Sequence, residues 1–499
     1  MRPGRRALIV PFVFISAGLA LAPLARGPVA FAAPRSAVSL PSTGRVLQLF
    51  APTYMSKTNS PYSQTDAVTI GQNADLIAAN VAQFTSTTLL AMKGANPNVR
   101  VLVYLNGSFD MHSRQSYPLS EYARDANNKF IKSRQYGNWL MDDSNPAWVS
   151  QVSQLCTNLL AQAPYDGCFV DMLGDAMLSG SYLTSQPIDP VTNQVWTPTQ
   201  MLAATTAIAQ SVTANNPNAI IMANGLMNGA GYYNTGAPTS QLFGGVNIAL
   251  AESWLRQATK SVTTYESQTS WKPEVDMLAD AGSRGESAAV TTKVWTTAST
   301  AQLTAWHRYA LASFLLGTSG SSYFSFTKGQ TATEFQVDAT NPLDHTPVGA
   351  ALGPYQVQGL AYSRQFADAE VVVNPTTSLV SVPISTPCTT LDGVMVTASL
   401  SMAPESGQIC THAPTPMVTG VSPPTGSVGG GDSVTITGTG FTSATAVDFG
   451  TGNHAPSFSV ISDTQVTVVS PAGFGTVDVS VTGPGGTSAP SSGDQFTYQ

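Results

Sequence analysis

From Val46 onward the chain alternates short apolar runs with segments of helical spacing, and it does so eight times before residue 327. Strands separated by helical stretches can pair in parallel only through βαβ crossovers, which restricts the fold to an α/β class. The runs read as strands are Val46–Phe50, a weak one near Gln83–Ser86, Val99–Asn106, Gly167–Met172, Ala219–Asn224, Asn247–Glu252, Ala288–Trp295 and Ser321–Phe326. Helical spacing is expected near Ala74–Val81 and over Pro146–Gln162, Thr199–Ala214 and Ala301–Leu316. Eight such units in one stretch predict a (β/α)8 barrel over residues 41–354. A doubly wound sheet is the alternative, but no G-x-G-x-x-G follows the first strand, which argues against a nucleotide-binding version. No cofactor is expected.

Two further regions follow. Residues 355–412 are rich in β-branched runs (Ala369–Val373, Leu379–Val382, Val394–Leu400) and read as a small β appendage. Ala413-Pro414-Thr415-Pro416 then marks a linker over 413–417. Beyond it, Val434–Thr437, Ala446–Phe449, Phe458–Ile461, Gln465–Val469 and Val477–Val481 are short β-runs split by Gly and Pro. Turn signals at that interval predict a β-sandwich over 418–499.

The N-terminus reads as an export signal. Arg2, Arg5 and Arg6 precede the apolar stretch Ala7–Ala22, and Ala30-Phe31-Ala32 supplies a small-x-small cleavage pattern, placing the signal peptide at 1–32. A retained anchor is the rival reading, but the run is short and ends in Pro23 and Arg26. In an oxidising compartment the four cysteines fall into two close pairs, Cys156–Cys168 and Cys388–Cys410, and their spacing does not fit a zinc site. Only 10% of the residues are charged, the net charge is −7, and Lys and Arg form no run in the mature region. Nucleic acid is therefore not an expected partner, and no later segment is long and apolar enough to span a bilayer.

The tail resembles the IPT/TIG family of immunoglobulin-like modules. The resemblance is carried by VTGVSPPTGSVGGGDSVTITGTGF from Val418 to Phe441, VDFG at Val447–Gly450 and the closing FTY at Phe496–Tyr498. It implies a spacer or a module that contacts a cell-surface glycan. The first domain, from Arg45 to Pro375, resembles glycoside-hydrolase-like family 15. It does so through WLMD and NPAW (Trp139–Trp148), DGCFVD (Asp166–Asp171), ANGL (Ala223–Leu226), Glu252 within ALAESW, and the stretch Pro347–Pro375. That resemblance implies cleavage of a polysaccharide or oligosaccharide.

Glycosidic cleavage needs two carboxyl groups astride the bond, and barrel sites lie at the C-terminal ends of strands. Asp171 closes the fourth strand and Glu252 the sixth. Analogy with α-galactosidase-type barrels, which use acids on those strands, makes Asp171 the nucleophile and Glu252 the acid/base. Sugars also need aromatic faces and amides. The candidates are Tyr104 and Asn106, Asn224, Trp254, Trp295 and Tyr323, with Asp142 as a further cleft residue although it also reads as a helix start. The competing function is a non-catalytic carbohydrate-binding or adhesion protein that keeps the barrel as a scaffold.

Overall fold

The computed structural model describes Leu40 and residues 46–499, except 57–59, 113, 179, 181 and 330. The expected signal peptide lies outside the described residues. Eight parallel strands form a closed barrel: β1 (Gln48–Ala51), β2 (Leu76–Ala79), β3 (Arg100–Asn106), β4 (Gly167–Asp171), β5 (Ile220–Asn224), β6 (Ile248–Ala251), β7 (Ser287–Lys293) and β8 (Tyr323–Thr327). Each pairs with the next in sequence, and β8 returns to β1 through Gln48↔Tyr323 and Leu49↔Phe324.

The helices are α1 (Gln64–Asn73), α2 (Ser86–Ala95), α3 (Pro146–Gln162), α4 (Pro198–Asn215), the one-turn α5 (Gly229–Tyr232), α6 (Gln268–Ser283), α7 (Thr300–Gly317) and α8 (Ala332–Ala339). Their starts are set by side chains that accept the free amides of the first turn: Ser63, Thr85, Asn145, Thr197 and Ser299. Thr197 with Gln200 and Ser299 with Gln302 close full capping boxes, and Pro146 and Pro198 begin α3 and α4 where no amide is needed.

Two sequence expectations fail near the start. The stretch Ala74–Val81, read as a helix, is the strand β2, and the strand expected near Gln83–Ser86 is a turn leading into α2. Leu-Ile-Ala-Ala is short, and its alanines favour a helix on propensity, yet it is fully buried between β1 and β3, where only a strand completes the ladder. The two errors offset each other, so the strand count stands.

Alternation along the strands sorts side chains into two sets. Phe50, Ala78, Leu102, Phe169, Met222, Leu250 and Ala289 fill the barrel interior with the partly buried Tyr104. Val103, Val170, Ala223, Ala251 and Val290 face the helices. Continued by one step of two, the interior set reaches Asn106, Asp171, Asn224, Glu252 and, two steps beyond Ala289, Lys293. The interior therefore changes from apolar to polar at the C-terminal end.

After the barrel, a six-stranded antiparallel sheet and a two-stranded one build the β appendage, with Cys388 bonded to Cys410. Arg364 fastens the sheet to α7 by donating to the carbonyls of Leu315, Leu316 and Thr318, where a helix C-terminus favours a cation. The C-terminal region is a sandwich of two sheets around Val434, Ile436, Phe449, Val466, Val479 and Phe496. All five β-runs expected there are strands.

Candidate active site

β3 and β4 run in register with Asn106 opposite Asp171, so residues at the ends of neighbouring strands are brought to one level. Asp171 Oδ2 accepts from the Tyr104 hydroxyl at 2.9 Å, and Oδ1 accepts from Asn224 Nδ2 at 2.9 Å and from the Met172 amide at 2.8 Å. The same Asn224 nitrogen donates to Glu252 Oε2 at 2.5 Å. These two carboxylate oxygens are therefore no farther apart than the two bonds laid end to end, about 5.4 Å. The other Glu252 oxygen receives Lys293 Nζ at 2.6 Å. The Lys293 side chain is 6% exposed and that of Glu252 is 27% exposed, so the pair is anchored from below and open from above.

Burial, and next the facing Glu252 charge, push the Asp171 carboxyl from 3.8 up to about 6, against the opposing pull of its three hydrogen-bond donors. Burial, then the Asp171 charge, push the Tyr104 phenol well up, so it remains a neutral donor. The Tyr104 oxygen itself accepts from Asn106 Nδ2 at 3.3 Å, and Asn106 Oδ1 is fixed by the amides of Ser108 and Phe109.

The rim is aromatic. Tyr54, just after β1, stacks on Tyr104 with ring centres 5.7 Å apart. The charges of Glu252 and Asp171 also raise the phenols of Tyr54, Tyr136 and Tyr182, burial being the larger cause in each. Trp295 is 36% exposed, and Lys293 Nζ lies 4.9 Å from its ring centre. The loops leaving three adjacent strands each hold a non-glycine residue in the left-handed region: Met172 (φ 62°), Met227 (φ 63°) and Leu255 (φ 63°). Such residues cost roughly 1–3 kcal/mol each and persist where the surroundings fix them. Gly225 lets the first two loops cross, because a Cβ there would lie 2.6 Å from the Leu173 carbonyl oxygen.

The sequence model of hypothetical glycosyl hydrolase family 15 matches residues 93–370, more than half of the chain and all of β3–β8. The chain belongs to hypothetical glycosyl hydrolase family 15. The IPT/TIG domain model matches residues 416–498, so this family 15 protein carries an IPT/TIG sandwich at its C-terminus. No curated protein matches it. Among solved structures, the γ-CGTase of alkalophilic Bacillus clarkii is 13% identical, with 91% of this chain and 83% of that one covered and a TM-score of 0.39. A GH36 α-galactosidase of Geobacillus stearothermophilus is 11% identical over 74% of this chain and 56% of that one (TM-score 0.42). An α-amylase of Malbranchea cinnamomea is 9% identical over 74% and 96% (TM-score 0.42).

Of the residues singled out in the family 15 sequence, Tyr104, Asn106, Asp171, Asn224 and Glu252 converge in one hydrogen-bonded cluster, and Trp295 stands beside it. Three others do not. Trp254 is fully buried against Phe314, its Nε1 donating to the Glu274 carbonyl, so it packs between barrel and helices. Tyr323 is buried at the start of β8, opposite Gln48, and fills the interior at the end away from the carboxyl groups. Asp142 accepts from the Ser144 amide and hydroxyl in a turn before α3. It lines a cavity of about 390 Å³ whose walls include neither Asp171 nor Glu252. Sequence reasoning missed Lys293, Tyr54, Tyr136 and Tyr182. The period-two pattern along Ala289, Thr291 and Lys293 carries the signal for the lysine; the tyrosines sit outside the strands, Tyr54 in a single 3-10 turn and the others in loops, where no such rule applies. Cys156 and Cys168 are bonded, tying α3 to the strand that ends in Asp171.

Proposed function

We propose that this protein is a secreted glycoside hydrolase that cleaves an extracellular or cell-wall polysaccharide or oligosaccharide, with Asp171 and Glu252 as its two carboxyl groups. The observation that carries the reading is the shared Asn224 amide, which holds one oxygen of each carboxylate within about 5.4 Å of the other at the mouth of the barrel. A separation of roughly 5–5.5 Å suits a double displacement with retained configuration, whereas inverting enzymes need roughly 6.5–9.5 Å for an intervening water. The exposed rings of Tyr136 and Trp295 supply the aromatic faces that sugar rings require, while Tyr54 and Asn106 hold Tyr104 in place. Export through cleavage after Ala32 accords with two disulfides and with the absence, among the described residues, of a helix long and apolar enough to cross a membrane. The IPT/TIG domain would serve as a spacer or as a contact to a surface glycan.

The ion pair between Lys293 and Glu252 favours a second reading, because a carbohydrate-binding scaffold without catalysis could keep such a pair for stability alone. A polysaccharide panel separates the two. Release of reducing ends by the parent, lost in both Asp171→Asn and Glu252→Gln, supports hydrolysis. Glycan retention without release by any of the three supports binding only.

A further inference from the structure

We propose that Lys293 divides the labour between the two carboxyl groups, holding Glu252 as the ionised nucleophile and leaving Asp171 as the group that gives and takes the proton. This rests on the glycosidase reading above and reverses the order that analogy with α-galactosidase-type barrels suggests. The argument is geometric. Lys293 enters the interior at the end of β7 and places a full positive charge 2.6 Å from Glu252 Oε1. Among the described residues, it is the only cation ion-paired with either carboxylate. Asp171, by contrast, receives only neutral donors among the described residues: the Tyr104 hydroxyl, the Asn224 amide and the Met172 amide.

Two carboxylates this close do not both ionise freely, and the proton settles on the one with the weaker cationic support. That one is Asp171. Its carboxyl, pushed up to about 6 by burial and by Glu252, falls in the range expected of a general acid. Lys293 has little freedom to do anything else, since its side chain is enclosed and its ammonium lies beside the Trp295 ring.

The reaction then runs as follows. A Glu252 oxygen forms an ester bond to the anomeric carbon while the glycosidic C–O bond breaks and the leaving oxygen takes the Asp171 proton. Water next attacks the same carbon and gives a proton to the Asp171 carboxylate; the ester bond breaks, and both side chains return to their starting states with one water consumed. Lys293 holds the Oε1 oxygen of Glu252 and acts on the sugar only through that carboxylate, so it is a positioning residue.

Azide distinguishes the two orders. The parent and its Asp171→Ala and Glu252→Ala variants are given 2,4-dinitrophenyl glycosides of glucose, galactose, mannose and xylose in both anomeric forms, with and without sodium azide. With Asp171 as acid/base, Asp171→Ala still forms the ester with this good leaving group. Azide then speeds turnover and yields a glycosyl azide of the same configuration as the substrate. Glu252→Ala with azide yields the opposite anomer. The reverse pattern, same-anomer azide from Glu252→Ala and inverted azide from Asp171→Ala, overturns the proposal while leaving the glycosidase reading intact. A parent that cleaves none of these glycosides and no polysaccharide of the panel removes both. For Lys293, the acid limb of the parent's pH–rate profile is compared with those of Lys293→Met and Lys293→Arg. The methionine variant should move that limb to higher pH by about one unit or more, and the arginine variant should restore it. An unmoved limb in a folded Lys293→Met variant refutes the role given to the lysine.

Discussion

Replacing Asp171 with Asn should make the protein more stable above neutral pH while removing its activity. In the folded protein burial and Glu252 lift this carboxyl from 3.8 to about 6. Between those values the folded state binds more protons at this site than the unfolded state, so stability falls as pH rises through the window, and the loss is complete above about pH 6. A shift of about two units corresponds to about 3 kcal/mol at pH 8 and, by the same linkage, to only about 1 kcal/mol at pH 4.5. Asparagine keeps the shape and an oxygen for Asn224 and the Met172 amide, so most of the penalty disappears without a cavity. At roughly 2 °C per kcal/mol for a large domain, the barrel's melting temperature should rise by about 3–6 °C at pH 8 and by about 2 °C or less at pH 4.5. Scanning calorimetry of both proteins at the two pH values measures it. Glu252→Gln is the control of opposite sign. It leaves Lys293 enclosed without its partner and should lower stability by about 2 kcal/mol once the partial exposure of Glu252 is discounted, and the melting temperature by about 4 °C. Equal melting of parent and Asp171→Asn at pH 8, or a gain that is the same at both pH values, would refute the claim that an ionised Asp171 is held at a cost.

The two tryptophans separate packing from recognition: Trp254→Ala should cost about 3–5 kcal/mol in denaturant titration, whereas Trp295→Ala should leave the midpoint unchanged and raise KM about fivefold with kcat retained. A KM effect from Trp254→Ala in a fully stable protein would contradict that division. Removing the Cys156–Cys168 bond by a double alanine substitution should cost about 3 kcal/mol, judged from the short loop it closes, and thermal melting in the absence of reductant reads this; no change means that the bond does not constrain the chain. Asn106→Ala should lower kcat/KM about tenfold and destabilise by about 1–3 kcal/mol, because Tyr104 loses its tether and two buried amides lose their acceptor. Unaltered kinetics would mean that Tyr104 is held by Asp171 alone.

Much of this was legible in the chain because it depends on periodicity. Long apolar runs such as Val99–Asn106 announce a buried strand, and an acid or amide ending such a run has few reasons to be there; Asp171, Asn224 and Glu252 all follow that rule. Shorter runs are ambiguous. Leu76–Ala79 has too few residues to show a period, and Ala74, Ala78 and Ala79 tilt propensity toward a helix, which tertiary packing overrides. Aromatic residues were harder still. Trp254 and Trp295 both follow a strand end, yet one turns into the helix interface and the other toward the carboxyl groups, and loop geometry decides which. Lys293 was passed over in favour of Trp295 two positions on, although the alternation marks it as inward.

The polar layer that crowns the barrel draws its members from five separate strands, with Asn106 and Lys293 as the outermost in sequence. Each of these groups meets its partner within the unbroken run of neighbours β3–β7, and a slip of one position in any of those strands would turn its contribution toward the helices. Assembly of the polar cluster thus requires the pairing of β3–β7 and not the β8–β1 seam that closes the ring. Recovery of activity after dilution from denaturant therefore cannot precede the joining of those five strands, and fragments that end before β7 carry the acids without the lysine that orders them.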